Sequence, residues 1–174
     1  METLKTIASR KSTKAFKPEQ ISEKELETVL LAGSNAAVGR GAYDSLHMTI
    51  IQSPDALKKV ITAAQKAFGD PSRDPTYAAP TLIVVSAVKN QKVPNIEFAN
   101  AASVIVNMHL AATDIGLGSC YIWGFLAGFA AEPDLAKELG IPDGFTPASG
   151  ILLGYPVEPL DERELQQKIN TNKV

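Results

Sequence analysis

The chain has 174 residues, 45% of them hydrophobic and 21% charged, which suits one domain, 1–174, with a sizeable core and would cramp two independent ones. A net charge of −2 gives no long-range attraction for a polyanion, so no nucleic-acid partner is expected; the longest apolar-rich stretch, 99–112, is broken by Asn100, Ser103, Asn107 and His109, so no membrane span is expected either. The single cysteine, Cys120, excludes an intramolecular disulfide, and with no cationic leader ahead of an apolar run the expectation is a soluble, cytoplasmic protein.

A short amphipathic opening, Leu4 to Ala8, leads into Arg10-Lys11-Ser12-Thr13-Lys14-Ala15-Phe16. Three cationic side chains and two hydroxyls within five residues are the equipment of an anion site, since Arg offers a planar fork of donors that matches phosphate oxygens and Lys adds a point charge. On its own the stretch is also explained by a solvated basic turn. Ser22-Glu23-Lys24-Glu25 matches a capping box, and the spacing of Leu26, Val29, Leu30 and Ala32 predicts a helix over 23–33. Residues 34–42, with Gly39 and Gly41, read as a loop whose backbone can lie close to a ligand. Leu46, Met48 and Ile50 alternate as in a strand, and Ser53-Pro54 supplies a cap and first-position proline for a helix to about Phe68.

Residues 69–79 hold two prolines, several charges and Tyr77, the composition of a surface loop able to lie over a pocket. The nearly unbroken apolar run 80–87 predicts a strand buried on both faces, in the middle of a sheet. A long Ala-rich helix is expected from about Asn95 to Ile115, stopped by Gly116. A strand from Ser119 to Trp123, a helix over 133–139 closed by Gly140 and a strand over 147–153 complete the pattern. Residues 161–165 suit a solvated helical face.

A doubly wound parallel sheet is set aside because no Gly-x-Gly-x-x-Gly follows the first strand. The two histidines, His47 and His109, lack ligand-like spacing, so no metal site is expected, and no Gly-x-Ser-x-Gly elbow supports a hydrolase. Cys120, flanked by Ser119 and Tyr121 in an apolar run, reads as a buried thiol.

Arg10 to Phe16 at the start, Leu110 to Gly118 with the strand that follows, the strand around Ala79-Pro80-Thr81, and Leu153-Gly154-Tyr155-Pro156 near the end occur together in an order that resembles the FMN-dependent nitroreductase family over nearly the whole chain. The resemblance implies an α+β fold, a central, mostly antiparallel sheet flanked by helices, in an intertwined homodimer with FMN at the subunit interface. It implies that Arg10 pairs with the flavin phosphate, that Lys11 and Ser12 contact its ribityl or pyrimidine portion, and that Lys14 points at N1 and O2. Val38 and Gly39 would lie along the ring, Tyr121 and Ile122 beneath it, and the main chain of Trp123 and Gly124 at N5 and O4. Arg163, in competition with Lys168, would complete the phosphate site.

Two departures stand out. The family's Asn-x-Gln-Pro-Trp pattern is replaced here by residues 41–47, and Trp123 stands where an acidic or small residue is usual, its indole expected in the core or at the interface. The implied activity is reduction of electron-poor acceptors, such as nitroaromatics or quinones, by NAD(P)H in a ping-pong hydride transfer through flavin N5. No side-chain acid or base is required, because the flavin carries the chemistry. The alternatives are a flavin reductase or a reductase of another small electrophile, and a non-catalytic flavin-binding protein whose ring is covered by Trp123 and residues 69–79.

Overall fold

A computed structural model describes residues 2–90 and 92–174. Six helices, α1 (Thr3–Ser9), α2 (Glu23–Ser34), α3 (Pro54–Phe68), α4 (Ile96–Asp114), α5 (Leu126–Ala131) and α6 (Leu135–Glu138), alternate with four strands, β1 (Leu46–Ile51), β2 (Thr81–Ala87), β3 (Gly118–Ile122) and β4 (Thr146–Gly154). The sheet order is β1-β2-β4-β3 and every neighbouring pair is antiparallel.

The local signals act as their chemistry dictates. Ser22 caps α2 by accepting from Glu25 N at 3.3 Å while the Glu25 carboxylate accepts from Ser22 N at 2.8 Å, closing the capping box. Ser53 accepts from Ala56 N at 3.1 Å to start α3. α4 ends where Gly116 takes a φ of 83°, and the Leu117 amide reaches back to Ala112 O at 2.8 Å.

β2 is buried along its whole length, between β1 and β4. Its alternation divides the core: Ile83 and Val85 join Val104, Ile105 and Met108 of α4 and Leu26 and Val29 of α2, while Leu82 and Val84 join Val60 of α3 and Phe125 on the opposite face. Each such aliphatic side chain contributes about 2 kcal/mol of burial. The result is helix, sheet, helix in three layers, with α2 and α4 on one side and α3 and α5 on the other.

Three expectations are corrected. The loop expected over 34–42 starts one residue later, since α2 runs to Ser34; it holds a short 3-10 turn, Gly39–Gly41, and a second, Tyr43–Ser45, follows before β1. The single helix expected over 133–139 is the shorter α6, and α5 precedes it unannounced by any side-chain cap. Residues 161–165 form no helix; from Val157 the chain runs on largely exposed and without regular structure. Among the described residues no helix is long and apolar enough to cross a membrane.

Candidate active site

β3 lies at the edge of the sheet, and its open side is covered by the segment that follows α1. Ser12 bridges to Ser119 in parallel, with the Thr13 amide donating to Ser119 O at 2.9 Å. Phe16 bridges to Pro156, with Lys17 N donating to Tyr155 O at 2.8 Å and Val157 N to Ala15 O at 3.1 Å. The segment is therefore threaded between the edge of β3 and the chain leaving β4.

Gly118 and Gly154 make that threading possible. They face each other across β3 and β4, and a β-carbon on Gly118 would stand 2.8 Å from Thr13 Cγ2, one on Gly154 2.9 Å from Phe16 Cδ1. These are the glycines of the two late motifs quoted above, so the spacing of those motifs positions the basic segment.

The threading delivers Ser12 and Lys14 to a cavity of about 350 Å³ whose other walls are Cys120, Tyr121, Ile122, Trp123 and Gly124 at the end of β3 and Arg73, Pro75 and Tyr77 of the 69–79 loop. Lys14 Nζ lies 5.4 Å from the centre of the Tyr77 ring, and the Arg73 guanidinium lies 3.7 Å over Phe68. The 69–79 loop thus lies over the cavity. Trp123 is half exposed, with its ring centre 6.3 Å from that of Phe98 on α4, which overturns core packing for the indole.

Arg10 sits at the back of this arrangement. Its Nη1 lies 3.2 Å from His109 Nε2, and His109 Nδ1 makes a short hydrogen bond with Ser119 Oγ. Burial, then the Arg10 charge, pushes His109 down to about 4, so the imidazole is neutral at ordinary pH. Burial and the neighbouring Arg163 lower Arg10 from its usual value, and burial raises the Cys120 thiol, as expected of an inert cysteine.

Arg163 stands beside Arg10 without contacting its side chain. Its main-chain N–H donates to Ala8 O at 3.2 Å, and its Nη1 donates to Ala8 O at 3.0 Å and to Arg10 O. Neither arginine forms an ion pair among the described residues. The half-buried Arg10 and the exposed Arg163 bring two guanidinium groups together without an acid, a place suited to an anion.

Of the expected site residues, Ser12, Lys14, Tyr121, Ile122, Trp123 and Gly124 share the cavity, with Arg10 and Arg163 behind it. Lys11 is half-buried, does not line the cavity, and forms no ion pair among the described residues. Val38 and Gly39 do not join the group: Val38 packs in the core with α4, and Gly39 lines a separate cavity with Asn100, whose Oδ1 accepts from Gly39 N at 2.9 Å. Lys168 lies on the exposed tail. His109, Arg73 and Tyr77 were not anticipated as site residues. The available signal for His109 was a titratable residue beside the apolar positions Val104, Ile105, Met108 and Ala112 on the buried side of α4, which also carries Glu97, Asn100 and Thr113. Among the described residues no cluster of three or more His, Cys, Asp or Glu side chains is able to hold a metal ion.

Comparison with known proteins agrees with this architecture. A relative from Archaeoglobus fulgidus, whose provisional name reads NADH dehydrogenase/NAD(P)H nitroreductase, is 27% identical over 174 residues, covering 99% of this chain and 96% of its own. A crystal structure of a nitroreductase with bound FMN from Bacteroides fragilis is 27% identical and superimposes with a TM-score of 0.85, each chain covered in full. Another, from Desulfitobacterium hafniense, shares the fold at 22% identity with a TM-score of 0.85, covering 99% of this chain and 100% of its own. The model of the Nitroreductase family matches residues 7–155, and the chain belongs to that family.

Proposed function

We propose that this protein is an FMN-dependent oxidoreductase that takes electrons from NAD(P)H and delivers them to an electron-poor acceptor such as a nitroaromatic or a quinone, working as a homodimer. The observation that carries the reading is the convergence of Ser12 and Lys14 with residues 120–124 around one cavity, backed by Arg10 and Arg163.

The donor set fits FMN. Arg10 and Arg163 would take the phosphate, because two cations without an acidic partner favour a dianion. Ser12 would donate to the ribityl or pyrimidine portion. Lys14 would bring a cation to where negative charge gathers on reduction, which would raise the reduction potential by electrostatics alone. Tyr121 and Ile122 would supply the floor, and the main chain of Trp123 and Gly124 would offer donors to the ring edge. When bound, FMN supplies hydride transfer in two successive half-reactions, so the protein's part is to bind, orient and tune.

Val38 and Gly39 reach such a flavin only from a second chain, since in their own chain they belong to other surroundings. The exposed face of α4, with Phe98, Ala99 and Val106, and the half-exposed Trp123 would meet that second chain.

The test is direct. The purified protein, reconstituted with FMN if needed, is expected to absorb near roughly 450 nm and to oxidise NAD(P)H steadily once a nitroaromatic or quinone is added. Tightly bound flavin without turnover would replace this reading with a flavin-binding protein of another kind.

A further inference from the structure

His109 is the one buried histidine of α4, and it touches Arg10, the residue assigned above to the cofactor phosphate. Its chemistry is fixed by its neighbours. A guanidinium has donors only, so His109 Nε2, 3.2 Å from Arg10 Nη1, must be the acceptor. The proton then sits on Nδ1 and is donated to Ser119 Oγ, leaving the Ser119 hydroxyl hydrogen free to turn elsewhere. Ser119 itself is held in place, because its main-chain oxygen accepts from Thr13 N at 2.9 Å.

The chain β3, Ser119, His109, Arg10 thus has one direction of donation throughout, and each member is buried or half-buried. The Arg10 carbonyl is fixed from the other side by the Arg163 guanidinium. Main chain and side chain of Arg10 are therefore clamped independently, the first by the C-terminal segment and the second by α4.

We propose that His109, held in its Nδ1–H tautomer by Ser119, is a positioning residue that aims the Arg10 guanidinium at the phosphate of the cofactor. The inference rests on the reading of Arg10 as a cofactor ligand. It gives this buried polar residue of α4 a purpose that packing does not supply: leucine would fill that position, but it accepts no hydrogen bond from a cation that has no other described side-chain partner.

The experiment is a double-mutant cycle read as FMN affinity, by fluorescence quenching on flavin-stripped protein, with thermal melts of each variant. Arg10→Ala and His109→Leu are each expected to raise the FMN dissociation constant about tenfold or more. Arg10→Ala/His109→Leu is expected to bind no worse than Arg10→Ala, because His109 acts only through Arg10. His109→Gln, whose amide oxygen is able to accept from Arg10 while its nitrogen donates to Ser119, is expected to recover most of the affinity.

Additive losses in the double variant would overturn the proposal and leave His109 a purely structural residue. Wild-type affinity in His109→Leu beside a weakened Arg10→Ala would also overturn it, while leaving the proposed function intact. Wild-type affinity in Arg10→Ala would instead remove Arg10 from the cofactor site, and the inference with it. Should His109→Leu fail to fold, Ser119→Ala carries the test: a few-fold loss that vanishes in the Arg10→Ala background supports the proposal, and a loss that persists there overturns it.

Discussion

At the scale of single residues, the neutral state of His109 links stability to pH. Its folded value near 4 lies below its ordinary 6.5, so between these limits the unfolded chain binds the extra proton. Stability is therefore unaffected above about pH 7 and falls as pH drops through this window, by up to about 3 kcal/mol if the full shift is realised. Denaturant unfolding of wild type and His109→Gln at pH 7 and pH 5 checks this: the wild type should lose more stability between the two than the variant, which has no imidazole to protonate. Equal losses would assign the acid sensitivity to other groups. Of the candidate site, Arg10, Ser12 and Lys14 were legible in the sequence, because charge clustered on a short segment is visible without a fold. His109 was not, since its contact with Arg10 spans most of the chain and one histidine in a helix carries no sign of what lies opposite.

At the scale of elements, the contrast between α4 and α5 shows which helices a sequence announces. α4 has 19 residues, an apolar stripe and a glycine stop, and its bounds fall within a residue of the expectation. α5 has six residues, no capping side chain and a composition of Leu, Ala, Gly and Phe that carries no period. It exists because α3 lies against it. A β-carbon on Gly128 would stand 2.8 Å from Ala64 N and 2.9 Å from Ala63 C, so the two helices touch backbone to backbone at this point. Gly128→Ala gains helix propensity yet is expected to destabilise the protein by about 1–3 kcal/mol, because main chain has no rotamer to yield. A thermal melt showing a drop of several degrees is the expected outcome, and an unchanged or raised midpoint would mean that α5 slides freely. The helical face suggested for 161–165 fails for the complementary reason: all five residues are exposed, and the segment meets α1 through the polar contacts of Arg163 and Glu162 without burying an apolar side.

At the scale of the whole molecule, the three-layer core leaves one face of α4 uncovered. Ala99 and Val106 are exposed and Ala102 lies partly so, while the exposed ring of Phe98, also on α4, meets that of Trp123 at a tilt of 34°. A face of small residues flanked by aromatics suits a second copy of the chain, in an interface of the larger, hydrophobic kind. Ala102→Glu is expected to split the dimer and release FMN in the same step, with light scattering at micromolar concentration and flavin absorbance after gel filtration as the measurements. A monomer that keeps its flavin would exclude a shared site. The fold within one chain was legible because it follows from periodicity and caps. That Val38 and Gly39 lie apart from the cavity of Lys14 and Trp123 in one chain was not, since that separation depends on how distant segments pack.

The passage of residues 12–16 between β3 and the end of β4 sets an order of events. Its bridges, Ser12 to Ser119 and Phe16 to Pro156, join positions more than a hundred residues apart and need β3 and β4 to be paired beforehand. The segment contributes few apolar side chains to the core, so it is the part most easily released while the sheet stays intact. Hydrogen exchange should find the amides of Thr13, Lys17 and Val157 opening together and well before those of β2, with FMN slowing them selectively. The ligand would then act as the last latch of folding: without flavin the N-terminal strap would come undone more often, and cofactor supply would become a control on how long each molecule resists proteolysis.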